Sequence, residues 1–68
     1  MDEDVTQSVR FGKPDGDYLP ITQCVCGQKY APWDFDIPIH RDIASACRAC
    51  GRRMYWTWPD VRIFVVKR

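Results

Sequence analysis

Four cysteines in two short Cys–Gly turns constrain this 68-residue chain more than any other feature. The pairs are Cys24-x-Cys26-Gly27 and Cys47-x-x-Cys50-Gly51, with twenty residues between them. A chain below roughly 70–80 residues seldom stabilises itself with an apolar core alone, and small domains commonly add a metal, disulfides or a partner chain. A tetrahedral structural site takes four thiolates at about 2.3 Å, usually delivered as two pairs from tight turns. Glycine after the second cysteine frees the backbone to take φ > 0 and curl its amides toward the sulfurs. The pattern therefore predicts one structural zinc ion held by Cys24, Cys26, Cys47 and Cys50. The first pair has one intervening residue rather than two, so its turn is tighter and Cys24 is the ligand to verify first.

Rival uses of these sulfurs stay open at the level of sequence. A Cys24–Cys26 disulfide would be strained, and the chain reads as one from a reducing compartment. A redox dithiol at Cys47–Cys50 needs a βαβ setting, which 68 residues are too few to build. Iron suits four thiolates as zinc does. His40, the one histidine, could replace a cysteine, although a lone histidine in a polar stretch is more often solvated.

Four protein ligands close the coordination sphere and leave no position for water or substrate, which makes the metal structural. No Ser/His/Asp set, phosphate loop or task-bearing carboxylate cluster is visible, so the expectation is a protein that is not an enzyme and takes no small-molecule substrate. The longest apolar run near the end, Ile63 to Val66, covers four residues and cannot cross a membrane. The acidic start, Met-Asp-Glu-Asp, lacks the basic and apolar stretches of a secretory signal, so a cytoplasmic location is expected.

The formal charge of +1 conceals an asymmetry. Residues 1–17 carry five acids against Arg10 and Lys13, whereas residues 18–68 carry eight basic groups against four acids. Residues 1–17 show no helical or strand period and are expected to form an acidic, flexible arm ahead of a domain spanning 18–68. From Tyr18 a short strand runs into the first cysteine turn, with a return through Lys29 and Tyr30. Ala31 to Pro38 reads as a structured loop, because its prolines supply no ladder donors. His40 to Ala46 could form two helical turns with Ile39 and Ile43 on one side. After the second cysteine turn, Met54, Trp56 and Trp58 alternate with Arg53, Tyr55 and Thr57. Pro59-Asp60 then supplies a turn before Val61 to Val66, and the whole reads as a β-hairpin. The expected fold class is thus a small metal-stabilised β protein with short antiparallel strands, a C-terminal hairpin and at most one short helix.

At the two Cys–Gly turns and at Gly51-Arg52-Arg53-Met54-Tyr55-Trp56, the sequence resembles zinc-ribbon proteins. More narrowly, it resembles the very small zinc-ribbon proteins encoded by bacteriophages and prophages. Those carry a Cys-x-Cys-Gly turn, a Tyr-x-Pro-Trp-Asp type segment (here Tyr30 to Asp34), then Cys-x-x-Cys-Gly and a final strand. The likeness covers about residues 18–68. It implies a zinc ribbon with the metal at its tip, and the cytoplasm of a host cell as its place, but it carries no single activity to transfer.

Function must then come from surfaces. Three tryptophans, three tyrosines and three phenylalanines exceed what a minimal ribbon can bury, and aromatics beside arginines are common interface anchors. The first expectation is a non-enzymatic module that docks on a protein partner, such as a host nucleic-acid enzyme that a phage product inhibits or redirects. The residues expected to carry it are Trp33, Arg48, Arg52, Arg53, Tyr55, Trp56, Trp58 and Arg62, with burial of each tryptophan in the core as the competing explanation. The alternative is nucleic-acid binding through the basic final stretch, which also holds Lys67 and Arg68, with Arg53 beside Tyr55 as charge and stacking platform. A third is a small structural subunit of a larger assembly.

Overall fold

A computed structural model describes residues 2–67. It is an all-β protein made of two small antiparallel sheets with one core between them. In chain order the strands are β1 (Glu3–Asp4), β2 (Arg10–Phe11), β3 (Tyr18–Gln23), β4 (Asp36–Pro38), β5 (Ser45–Ala46), β6 (Arg53–Thr57) and β7 (Arg62–Val65). One sheet has the order β1-β7-β6-β5 and the other β2-β3-β4. The chain passes between the sheets through two single 3₁₀ turns, Thr6–Ser8 and Arg41–Ile43.

The hairpin expected from the aromatic alternation is β6–β7, in register Met54↔Val65, Tyr55↔Phe64, Trp56↔Ile63 and Thr57↔Arg62. Period-2 alternation turns Met54, Trp56, Ile63 and Val65 inward, where they meet Leu19 and Ile21 of β3 and Ile37 of β4. Burying side chains of this size contributes on the order of 1.5–3 kcal/mol each, so these residues are the main apolar source of stability.

Three expectations change. The acidic arm is not an appendage: β1 pairs with β7 (Glu3↔Val65, Asp4↔Phe64), β2 pairs with β3, and Val5 and Val9 are buried in the core. Its acids find specific partners, with Asp2 on Arg41 (2.7 Å), Glu3 on Lys67 (3.2 Å) and Asp4 on Arg62 (3.1 Å). A segment too polar to fold alone is ordered by strand edges and cations supplied from outside it. The helix expected over 40–46 is one 3₁₀ turn followed by β5, and Ile43 is 58% exposed. Ser45 and Ala46 pair with β6 instead, so tertiary pairing overrides a weak helical period. The proline-rich loop ends in β4, an edge strand, where Pro38 needs no ladder donor on its open side.

Candidate metal centre

The two cysteine pairs come from different sheets. Cys24 and Cys26 follow the end of β3, and Cys47 and Cys50 lie in the loop between β5 and β6. The two loops close in the same way. The Cys24 amide donates to the Gln28 carbonyl (2.9 Å), and the Gly27 amide donates to the Cys24 carbonyl (2.9 Å). Likewise the Cys47 amide donates to the Arg52 carbonyl (2.9 Å), and the Gly51 amide to the Cys47 carbonyl (2.7 Å). Both glycines take positive φ, 95 at Gly27 and 77 at Gly51. This is the left-handed backbone that the curl requires. Removing one residue from the first pair shortens its loop by one position and leaves both closing bonds intact.

Cys24 is accordingly part of the cluster. Its sulfur lies 3.8 Å from that of Cys50, the Cys26 and Cys47 sulfurs are 3.9 Å apart, and all four lie within 4.8 Å of one another. A regular tetrahedron with metal–sulfur bonds of about 2.3 Å has sulfur–sulfur edges of about 3.8 Å. The donor set and its spacing therefore fit one four-coordinate metal ion. All four cysteines are free thiols, and His40 is exposed and outside the cluster.

Electrostatics points the same way. Four thiolates this close repel one another, so without a cation they cannot all ionise. Burial, then hydrogen bonding within the cluster, pushes the Cys24 thiol far above its usual range. Burial opposes ionisation of Cys47 too, but the Tyr30 hydroxyl and the amides of Ala49 and Cys50 outweigh it and pull Cys47 down. Cys50 is also lowered, against its burial, by the Arg52 amide and guanidinium.

Sequence reasoning missed the most specific of these contacts. The Tyr30 hydroxyl lies 3.0 Å from the Cys47 sulfur, to which it donates once that sulfur is a thiolate, with the ring packed 4.8 Å from Phe35 and the Arg48 guanidinium 5.0 Å above it. Seventeen positions separate Tyr30 from Cys47, and nothing in the pattern of either segment announces the pairing.

Comparison with protein-family models, with curated proteins and with solved structures returns no match, so the geometry alone carries the reading of the site.

The residues expected to form a partner surface differ in exposure and pairing. Trp56 is 1% exposed and its Nε1 donates to the Asp17 carbonyl (3.1 Å); it is a core residue and cannot serve as an anchor. Tyr55 is half-buried, stacked on Phe64 (5.6 Å) with its hydroxyl on Asp2 (2.6 Å), so it offers no free platform. Arg48 pairs with Asp34 (3.4 Å) and Arg62 with Asp4. Arg52 and Arg53 are exposed and take part in no ion pair among the described residues; Arg68 lies outside them. Trp33 (81% exposed) and Trp58 (69%) remain open to solvent.

Proposed function

We propose that this chain is a zinc-ribbon-like module in which one structural zinc ion clips two sheets together, and that it acts by docking on a protein partner. The observation that carries the metal is the set of four sulfurs, two from each sheet, all within 4.8 Å of one another and with two pairs at 3.8 and 3.9 Å, close to a tetrahedral edge. A four-thiolate sphere leaves no open position for substrate, which supports a non-enzymatic role. Docking is supported by two tryptophans held in solvent on a protein that buries its third, since exposed aromatics are common interface anchors. Nucleic-acid binding has less support, because Arg48 and Arg62 are paired with acids of the same chain, which leaves Arg52 and Arg53, among the described residues, as the unpaired arginines of the expected surface for phosphate contacts. No helix among the described residues is long and apolar enough to cross a membrane. The resemblance to phage-encoded ribbons suggests a host enzyme as the partner and the host cytoplasm as the place.

The metal is tested by native mass spectrometry and elemental analysis of the purified protein, followed by chelation. One zinc per chain and loss of the folded spectrum on metal removal are expected. Retention of the native spectrum after verified removal refutes a metal-dependent fold, and one iron per chain overturns the choice of zinc. Titration with single- and double-stranded DNA at low salt tests the other surface reading, and tight, steeply salt-dependent binding would favour it over docking.

A further inference from the structure

We propose that the shallow groove between Tyr18 and Trp33 is the docking site, and that its occupant is an extended basic segment of a partner protein that seats an arginine or lysine there. This rests on the docking role proposed above and names the chemistry of the partner.

The groove, about 300 Å³ in volume, is lined by Asp15, Tyr18, Pro20, Pro32, Trp33 and Asp36. Local structure explains each, and Asp15 is held beside Tyr18 by reciprocal backbone hydrogen bonds of 2.7 and 3.1 Å. Leu19 and Ile21 point into the core, so by alternation Tyr18 and Pro20 face outward from β3. Asp36 stands opposite Pro20 on β4. The Asp34 amide donates to the Ala31 carbonyl (3.0 Å), closing a turn that holds Pro32 and Trp33 at its apex. Tyr30 and Phe35 on either side of that turn are buried, so the apex is braced from beneath. Folding leaves the most exposed tryptophan of the chain at this position, beside a tyrosine that is 50% exposed.

Charge selects the occupant. Of the nine acids in the chain, Asp2, Glu3, Asp4 and Asp34 are in ion pairs among the described residues, which leaves Asp15, Asp17, Asp36, Asp42 and Asp60. Two of these five line the groove, Asp17 adjoins it in sequence, and no basic side chain among the described residues lines it. Aromatic faces beside unpaired carboxylates attract a cation through ring quadrupole and Coulomb terms together. Two prolines give the floor a rigid apolar surface that costs little entropy on binding. An anionic partner, nucleic acid included, would meet the wrong sign of charge here.

The experiment is selection of a displayed library of random ten-residue peptides on the metal-loaded protein, repeated on Trp33→Ala and Asp36→Asn. Both positions are exposed, so both variants fold, which retention of one metal per chain and of the native spectrum verifies. Enrichment of peptides rich in arginine or lysine on the native protein, and not on Trp33→Ala, is expected. A labelled peptide from the selection should bind Trp33→Ala about tenfold more weakly than native. It should also bind Asp36→Asn more weakly than native, with a larger loss at low salt than at high salt. Enriched peptides without basic residues, or equal binding to Trp33→Ala, overturn this inference and leave the docking role standing. No enrichment on any of the three proteins overturns both.

Discussion

Replacing Tyr30 by phenylalanine tests whether the buried hydroxyl tunes the metal centre. The change keeps the ring packed against Phe35 and beneath Arg48, and removes only the donor that lies 3.0 Å from the Cys47 sulfur. A hydrogen bond to a charged acceptor contributes about 1.5–3 kcal/mol, which corresponds to roughly a ten- to hundredfold change in affinity. Loss of a donor to a metal ligand ordinarily weakens metal binding by about the same factor. The Ala49 amide still reaches the Cys47 sulfur at 3.4 Å, so the lower end applies, about tenfold. Competition against a chromophoric chelator at fixed pH measures it for the native protein and Tyr30→Phe. Phe35→Leu is the control, since it disturbs the same aromatic contact without touching sulfur. Zinc affinity of Tyr30→Phe within twofold of native, or an equal loss in Phe35→Leu, would refute the reasoning.

Other perturbations separate the core from the surface. Trp56 is buried and Trp58 exposed. Trp56→Ala should therefore lower stability by about 3–5 kcal/mol, whereas Trp58→Ala should change it by no more than about 0.5 kcal/mol. Denaturant midpoints of similar size would contradict their assigned environments. Deleting residues 2–9 removes two buried valines, which at the usual value of a buried aliphatic side chain should cost about 3–6 kcal/mol. The readout is a lower melting temperature of the metal-loaded protein, and an unchanged one would restore the flexible arm. Gly51→Ala places a Cβ where no atom lies within 4 Å. Its cost then comes from the left-handed backbone alone, about 1–2 kcal/mol, and Gly51→Asn should recover part of it in the same unfolding assay. No loss in Gly51→Ala, or a loss in Gly51→Asn as large as in Gly51→Ala, would contradict the backbone account. The Arg41 guanidinium, the Tyr55 hydroxyl and the Lys67 amide hold the Asp2 carboxyl well below the usual carboxylate range. Its folded-state pKa is depressed, so its stabilisation is present above the unfolded value near 3.8 and fades as pH falls from there toward the folded value. Acid also protonates the sulfurs and releases metal, so the measured quantity is the stability difference between native protein and Asp2→Asn at each pH. That difference should shrink below about pH 4, and one that stays constant would rule out the ionised contact.

The four-cysteine cluster was legible in the chain because its determinants are local. Two Cys–Gly turns specify their own backbone through glycine φ and short-range amide bonds, whatever surrounds them, and the shorter first turn obeys the same rule. The β6–β7 hairpin was legible for a similar reason: alternation and a Pro-Asp turn act over neighbouring residues. What depended on tertiary structure lay far apart in sequence. Tyr30 gained its sulfur acceptor, and Trp56 its Asp17 carbonyl, only once both sheets were assembled. Residues 1–17 read as a flexible arm because the partners of β1 and β2, namely β3, β7, Arg41, Arg62 and Lys67, all lie outside that segment. The same alternation that placed Trp56 and Trp58 on one face could not show that β6 ends at Thr57, which buries the first and leaves the second in water. Local geometry is written in neighbouring residues, whereas burial and pairing depend on which distant segment arrives. The sequence by itself therefore determined where four sulfurs could meet, and the tertiary structure decided which aromatics were left to meet something else.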